Sequence, residues 1–408
     1  MGKRSLAVIF ASFCTVFIGF AVRNSYGILL PEMIPSLMIS KKEAGVIYSS
    51  FFIAYTLFSP ILGLLADRIN IRILLTLFSA ILGIGTLLMG YSSSMVEASF
   101  FFLLAGIGSS ACWSPVVPLV QRWSSDRRRG MTLAFVDAGA AIGIAISSIM
   151  MPLIVGASNW RMGWKGLGTV AFVMAGINYL LVRDSPEEDQ NSRYSKSFRQ
   201  LNQPTRSIYV KIIKDNNFLI LGISYLLIGF STLIPLTFIT TYAVQELMFR
   251  YNVATRLITT IAFTSIVGKL VLSILSDTLG RIKTIILCEI FVVIGNLGVV
   301  YFHSSLAMHL SMAVFGFGFG AIWPLQALCS IDYFSKNSSG FIVGFWTLFL
   351  GIGLVLSPIF AGWIADVAGV FKWSFILAIA TAITSMLLLF LVKRKVYSPN
   401  NNTRLIKE

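Results

Sequence analysis

The chain has 408 residues, of which 56% are hydrophobic and only 12% are charged, and its mean hydropathy is +0.82. This composition lies far outside the range of soluble globular proteins, and it excludes a soluble enzyme, a secreted disulfide-rich domain and a nucleic-acid-binding protein. The formal net charge of +15 does not reverse that exclusion, because the basic residues must be considered by position. We therefore expect a protein that crosses the membrane many times.

Twelve apolar runs follow one another along the chain, each close to the roughly 20 residues that a membrane-spanning helix needs. They occupy residues 6–30, 43–65, 73–91, 97–121, 130–155, 163–182, 218–242, 255–276, 283–302, 306–330, 340–364 and 371–392. The first run is too long for a signal-peptide core and is interpreted as a retained helix. The sequence thus predicts an all-α integral membrane protein with twelve transmembrane helices.

One long polar stretch divides the runs into two sets of six. The predicted organisation is an N-terminal six-helix bundle over 1–182, a cytoplasmic linker over 183–217, a C-terminal six-helix bundle over 218–392 and a cytoplasmic tail over 393–408. Most of the 32 basic residues fall on the side that holds the linker and both termini. The positive-inside rule places that side in the cytoplasm.

The two sets of six runs are related by an internal repeat. Shifting the chain by 210 residues aligns unusual residues in four pairs of runs. The aligned positions are Gly19 with Gly229, Asp67 with Asp277, Gly106 with Gly316, Gly108 with Gly318, Trp113 with Trp323 and Gly130 with Gly340. Because six is an even number, both modules have the same orientation, and a substrate site is expected between them near the middle of the membrane.

The loops after the second and eighth runs carry a recognisable motif. Residues 63–72, GLLADRINIR, and residues 273–283, SILSDTLGRIK, resemble the GxxxDRxGRR loop of the major facilitator superfamily. Asn70 and Ser273 stand where that motif has glycine. The resemblance implies a major facilitator fold that works by alternating access. It also implies a gating role at the cytoplasmic helix ends for Asp67, Arg68, Asp277 and Arg281, whose carboxylates and guanidiniums can lock neighbouring helices.

A second resemblance concerns the substrate. Residues 122–143, RWSSDRRRGMTLAFVDAGAAIG, and residues 23–28, RNSYGI, are similar to stretches of the monocarboxylate transporter and oxalate/formate antiporter families. These families imply a small organic anion as substrate. The chain departs from them at Asp137, where an apolar residue is usual, and at Trp346, near a lysine of the oxalate carrier.

Four charged residues lie deep inside predicted spans, more than five positions from either end: Arg23, Asp137, Lys269 and Glu289. Each costs about 2.5 to 3.5 kcal/mol on insertion scales and is therefore a functional candidate. Arg23 lies seven residues before the end of its run, so it either binds substrate or extends its side chain to water. For Glu289 a structural role near the membrane interface is expected.

Asp137 and Lys269 lie at similar depth, about 10 Å from the inner ends of their helices. The superfamily resemblance implies that these two helices face each other across the boundary between the halves. We hypothesise that the residues pair when the site is empty, and that an anion arriving at Lys269 displaces Asp137, which then takes up a proton. A static pair that only neutralises two charges is the alternative.

Further substrate contacts are expected from the helices that line the cavity in this superfamily. They carry Tyr26, Trp113, Trp323, Gln326 and Trp346. Aromatic faces with few polar tips would suit a small apolar acid, with ordinary packing as the alternative for each side chain.

The leading functional hypothesis is a secondary active transporter of a small organic anion, a monocarboxylate, moved together with protons. The alternatives are an uncoupled or exchange carrier for a sugar acid and a non-transporting sensor of the same fold. No catalytic set, nucleotide-binding loop, cofactor motif or metal-ligand spacing occurs in the sequence, so no enzyme, cofactor, metal or nucleic-acid partner is expected. The expected setting is the cell membrane, in contact with lipid, with a monomer as the working unit.

Overall fold

The computed structural model describes residues 3–66, 69–125, 128–184, 212–334 and 339–393. The regular secondary structure in these ranges consists of thirteen helices. The first half contains α1 (Lys3–Leu37), α2 (Lys41–Leu65), α3 (Ile71–Met89), α4 (Met95–Ser109), α5 (Val116–Trp123), α6 (Arg129–Ala157) and α7 (Trp160–Leu181). The second half contains α8 (Asn216–Gln245), α9 (Tyr251–Leu279), α10 (Arg281–Tyr301), α11 (Ser305–Tyr333), α12 (Ser339–Ala368) and α13 (Lys372–Leu389).

Ten of the described helices are long and apolar enough to cross a membrane. The other two crossings are α7, which has 22 residues and two basic residues near its start, and the α4–α5 pair. The helices therefore match the twelve predicted runs and confirm the all-α membrane fold. The linker expected over 183–217 lies mostly outside the described residues, and the bundle boundaries remain predictions.

The sequence predicts the fourth crossing as one continuous run, but in the structure it is divided into two helices. α4 ends at Ser109, a series of turns follows, and α5 begins at Val116. Two local features favour the break: the Ser110 hydroxyl donates to the carbonyl of Ile107, and Pro115 has no backbone N–H to continue the helix. The related helix α11 passes through Pro324 without interruption.

The internal repeat reappears as equivalent helix contacts. A Cβ added to Gly106 would lie 2.2 Å from the backbone oxygen of Phe51, and one added to Gly316 would lie 2.7 Å from that of Ile261. The two glycines are 210 positions apart, and so are the two residues that they contact, Phe51 and Ile261. The glycines of the repeat therefore serve the same purpose in each half, which is close approach of α4 to α2 and of α11 to α9.

The loop motif takes two different forms in the two halves. Gly280 joins α9 to α10 with φ of +89°, a conformation that favours glycine. Asn70, in the equivalent place, has φ of −57° and caps α3 by accepting a hydrogen bond from Ile73 N–H at 3.4 Å. Asparagine therefore replaces the glycine by capping the helix instead of supplying a positive φ.

The two halves meet most closely at the end of the molecule that is predicted to face outside. A Cβ on Gly27 would lie 2.3 Å from the carbonyl oxygen of Leu236, and one on Gly45 would lie 2.1 Å from that of Pro358. At the opposite end, a Cβ on Gly63 or Gly344 would meet no described atom within 4 Å. The halves are thus closed together on the outer side.

Candidate functional site

Arg23 lies deep in the membrane and is surrounded by aromatic rings. α1 continues to Leu37, so Arg23 is fourteen residues, or about 21 Å, from the helix end, deeper than the predicted run indicated. Its guanidinium carbon lies 4.8 Å from the ring centre of Phe52, 5.5 Å from Phe20 and 6.0 Å from Tyr55. We call these three rings the Arg23 cage. A guanidinium over aromatic faces is attracted by their negative π surfaces.

The cage leaves the guanidinium of Arg23 without an acid partner. Its Nε is buried and makes no hydrogen bond, and none of the described carboxylates lies within salt-bridge distance. Phe20 precedes Arg23 on α1, so the side chain leans toward the predicted cytoplasmic end. In this structure the side chain of Arg23 therefore does not extend to water at the outer surface.

Lys269 and Asp137 contact each other across the boundary between the halves. The Nζ of Lys269 donates to Oδ2 of Asp137, joining α9 to α6. Their side chains are 35% and 29% exposed, so water and solute have partial access to the pair. The contact has the geometry that the pairing hypothesis requires, and its role in transport remains a proposal.

A second polar contact lies further along the same two helices. The hydroxyls of Ser148 and Thr259 are 2.6 Å apart. Ser148 follows Asp137 by eleven residues on α6, while Thr259 precedes Lys269 by ten residues on α9. The antiparallel helices therefore run side by side for about 15 Å.

Two of the predicted aromatic residues are accessible, and three other candidates are packed. Trp113 and Trp323 are half-buried, and the ring centre of Trp323 lies 5.5 Å from that of Tyr225. Tyr26 is fully buried, with its ring stacked 4.6 Å from Tyr48 and its hydroxyl donating to the carbonyl of Ala44 at 2.6 Å.

Gln326 and Trp346 are also buried, and their polar groups already have protein partners. Gln326 Nε2 donates to the carbonyl of Leu221 at 2.9 Å, and Trp346 Nε1 donates to that of Phe218 at 3.0 Å. Together with Tyr26, these side chains hold helices together within one half. For all three side chains, the alternative of ordinary packing therefore fits the structure better than contact with substrate.

The sequence did not single out the aromatic residues that surround Arg23. Phe52 and Tyr55 lie three positions apart on α2, which places them on one face of that helix. This spacing was visible in the sequence, but aromatic residues are frequent in every span. Which aromatic rings reach Arg23 depends on how α2 packs against α1, and the sequence does not show this.

The predicted gating residues are described in only one half. Asp67 and Arg68 lie outside the described residues. In the second half, Arg281 pairs with Asp277 at 2.7 Å and with Asp332 at 3.4 Å, and it also contacts the hydroxyl of Ser276. Arg281 thus ties the ends of α9, α10 and α11 together, and Asp332 is a partner that the motif did not predict.

Glu289 is fully buried inside the second bundle. Its Oε1 accepts a hydrogen bond from Ser385 at 2.7 Å, and the hydroxyl of Ser385 lies 2.8 Å from that of Ser224. The equivalent position of the first half is Ser79, which accepts a hydrogen bond from Asn178. Asn178 also accepts a hydrogen bond from Thr15 of α1 at 3.0 Å, so each half uses a polar cluster to join three helices. A structural role for Glu289 therefore fits better than contact with solute.

Comparison with known proteins identifies the family. The model of the Major Facilitator Superfamily matches residues 11–255 and 221–406, two overlapping ranges that together span nearly the whole chain. The chain belongs to this superfamily. It is accordingly a multi-pass membrane protein and not an enzyme. The finer resemblance to monocarboxylate and oxalate/formate carriers remains a prediction.

Two relatives and one solved structure illustrate the breadth of this superfamily. The chain is 23% identical to a hexuronate transporter of Bacillus subtilis (strain 168), with 94% of each protein aligned. It is 24% identical to the membrane sensor protein UhpC of Escherichia coli (strain K12), over 92% of this chain and 90% of that protein. A bacterial homolog of the human lysosomal transporter Spinster, solved in an inward-facing and occupied conformation, has a TM-score of 0.78 at 14% identity, covering 98% of this chain and 100% of that one.

Proposed function

We propose that this superfamily member carries a small organic monoanion with one carboxylate, by alternating access between its two halves. The observation that carries the proposal is the guanidinium of Arg23, which is held deep in the membrane by an aromatic cage and has no acid partner among the described residues. A cation held this deep in the membrane is stabilised by an anionic partner. The solute supplies that anion.

The charges between the halves favour one negative charge on the solute. Lys269 and Asp137 cancel each other, which leaves Arg23 as the uncompensated cation of the proposed site among the residues that the structure describes. Leu233 occupies the position that the repeat makes equivalent to Arg23. At this position the second half therefore offers no guanidinium that could help to bind a doubly charged group such as a phosphate.

A sugar acid is the second candidate within the same class of solute. Its support is the relative named a hexuronate transporter, which aligns over nearly the whole chain. The half-buried rings of Trp113 and Trp323 would suit the apolar face of a sugar ring as well as an apolar acid. The alternative of a non-transporting sensor is supported by the relative named a membrane sensor protein.

Proton coupling is proposed to reside in the Asp137–Lys269 pair. A carboxylate solute that reaches Lys269 competes with Asp137 for the ammonium, and Asp137 then takes up a proton. Partial exposure of both side chains supports such an exchange, because solute and water can reach them. A static pair predicts instead that transport does not depend on a proton gradient.

The test is uptake by purified protein in liposomes, with and without an imposed pH gradient. The labelled panel contains a short apolar monocarboxylate, a hexuronate, a hexose phosphate and a neutral hexose. We expect saturable uptake of at least one carboxylate that is stimulated by the gradient. Uptake of the neutral hexose alone would overturn the anion proposal, whereas binding without turnover of any solute would favour a sensor.

Two variants separate the coupling mechanism from simple binding. Asp137→Asn is expected to keep uptake of the acid but to lose its stimulation by the pH gradient. If Asp137→Asn left gradient-driven uptake unchanged while Lys269→Ala abolished uptake, the competition mechanism would be wrong.

The remaining proposals concern the setting of the protein. We place it in the cell membrane as a monomer, with both termini in the cytoplasm because the basic residues cluster on that side. Protease protection of terminal tags in sealed right-side-out vesicles tests this orientation.

A further inference from the structure

The start of α2 lies against the end of α12, across the boundary between the halves. The two carboxylate oxygens of Asp366 accept hydrogen bonds from the backbone N–H groups of Lys41, at 3.0 Å, and Lys42, at 2.8 Å. The first N–H groups of a helix have no partner within the helix and carry a partial positive charge. An acid of the second half therefore caps a helix of the first half.

The side chain of Lys41 makes a second connection to the same half. Its Nζ lies 3.6 Å from Oε1 of Glu246, which follows α8, and 4.3 Å from the ring centre of Phe371, which precedes α13. Glu246 also accepts a hydrogen bond from the N–H of Phe371 at 2.8 Å. The side chains of Lys41 and Glu246 are only 18% and 19% exposed, so this ion pair is partly shielded from water.

α2 also has a cap that belongs entirely to its own half. The hydroxyl of Ser40 accepts a hydrogen bond from the N–H of Glu43 at 3.1 Å, and the carboxylate of Glu43 accepts one from the N–H of Ser40 at 2.8 Å. This reciprocal arrangement is a capping box. It satisfies two donors within the first half and leaves the N–H groups of Lys41 and Lys42 to Asp366.

The cap by Asp366 depends on closure of the outer ends. Gly362 lies one helical turn before Asp366, and a Cβ added there would be 2.1 Å from the carbonyl oxygen of Lys41. Such close backbone approach lets the short carboxylate of Asp366 reach the start of α2. If the outer ends separated by more than an ångström or two, both hydrogen bonds would be lost.

We propose that Asp366, Glu246 and Lys41 form an outer latch, which holds the molecule closed on its outer side and must break before the site opens outward. Contacts that exist in only one of two conformations bias the equilibrium by their own free energy. Water takes over the broken hydrogen bonds in the open state, so the latch tunes the equilibrium instead of locking it. The inference is independent of which solute is carried.

The experiment measures distances between the halves in the full-length protein without solute. Spin labels are placed on cysteines at Val96 and Leu306, which are exposed at the outer ends of α4 and α11, after the four native cysteines have been replaced. A second pair at Met131 and Phe390 reports on the opposite end. Pulsed electron paramagnetic resonance gives the populations of closed and open states.

Asp366→Ala is expected to raise the ratio of open to closed outer distances about tenfold, which corresponds to about 1.4 kcal/mol. Glu246→Gln should shift the ratio in the same direction by a smaller factor, because the amide oxygen still accepts from Phe371. Glu43→Gln is the matched control, since it weakens the cap inside the first half, and it should leave the outer distances unchanged.

The proposal is overturned if Asp366→Ala and Glu246→Gln both keep the outer distances of the unmodified protein, or if Glu43→Gln shifts them as far as Asp366→Ala does. Thermal unfolding in detergent identifies a variant that has not folded. If Asp366→Ala is such a variant, Glu246→Gln decides the result alone. None of these residues belongs to the proposed solute site, so failure of the latch would leave the proposed function standing.

Discussion

The two halves of the molecule each place one cation at mid-membrane depth, but they stabilise it in different ways. Arg23 in the first half lies among three aromatic rings and has no acid partner among the described residues. Lys269 in the second half is bound to the carboxylate of Asp137 from the opposite half. The same formal charge is therefore available to a solute in one half and already neutralised in the other.

The difference follows from the chemistry of the two side chains. A guanidinium is planar, delocalised and weakly hydrated, so aromatic faces can replace part of its hydration shell. An ammonium is a compact and strongly hydrated charge that needs a hydrogen-bonding partner when water is withdrawn. We therefore propose that Arg23 attracts the solute, and that Lys269 contributes only when its contact with Asp137 is broken.

Removing the charge of Arg23 should have the largest effect. Arg23→Gln keeps a polar side chain but loses two charge-assisted hydrogen bonds, each worth about 1.5 kcal/mol, so the affinity for the acid should fall about 100-fold. The measurement is the half-saturation concentration of uptake in liposomes. Arg23→Lys, which keeps the charge but not the fork of donors, should lose less. An unchanged half-saturation concentration in Arg23→Gln would remove Arg23 from the solute site.

Removing Lys269 should affect coupling more than binding. Lys269→Ala removes the cation for which the solute and Asp137 are proposed to compete, so stimulation by a pH gradient should fall about tenfold. The comparison is uptake with and without the gradient. The double variant Asp137→Asn with Lys269→Ala removes both charges and should resemble Asp137→Asn in its lack of stimulation. Full stimulation in Lys269→Ala would show that the pair is only structural.

A third variant separates anion binding from movement of the halves. Gly27 lies one turn beyond Arg23, and a Cβ there would be 2.3 Å from the carbonyl oxygen of Leu236 in the other half. Gly27→Ala should destabilise the closed outer end by about 1 kcal/mol and slow the maximal rate of uptake about fivefold, with little change in affinity. Gly176→Ala is the control, because a Cβ there meets no described atom within 4 Å. Equal rates in both variants would contradict this role.

The sequence predicted those features that stand out against an apolar background. Asp137 and Lys269 were visible because ionisable residues are rare in spans, and their similar depth followed from helix geometry alone. The offset of 210 residues likewise predicted equivalent packing, as the contacts of Gly106 and Gly316 show. These features depend on position along a helix, which the sequence records directly.

Other features depend on how helices turn toward one another, which sequence spacing does not determine. Tyr26 and Trp346 were expected at the cavity, yet each directs its polar group to a carbonyl within its own half. Phe52 was not singled out, although it is the ring nearest to Arg23. Asp366 was also overlooked, because a carboxylate at the end of a span resembles an ordinary solvated charge until the partner helix is in place.

The smallest expected change in affinity comes from removing one ring of the Arg23 cage. This variant tests whether the aromatic rings are what stabilises Arg23 without an acid partner, in contrast to Lys269. Phe52→Leu removes the ring that lies 4.8 Å from the guanidinium carbon, a contact worth about 0.5 to 1 kcal/mol. We expect the half-saturation concentration to change two- to fivefold while the pH-gradient stimulation remains, because Lys269 and Asp137 are untouched. Leu62→Ala is the control: Leu62 is fully buried on the same helix but lies ten residues, or about 15 Å, beyond Phe52. That variant should lower thermal stability without changing affinity. If both variants altered affinity equally, general packing of α2, and not the cage, would explain how Arg23 is held.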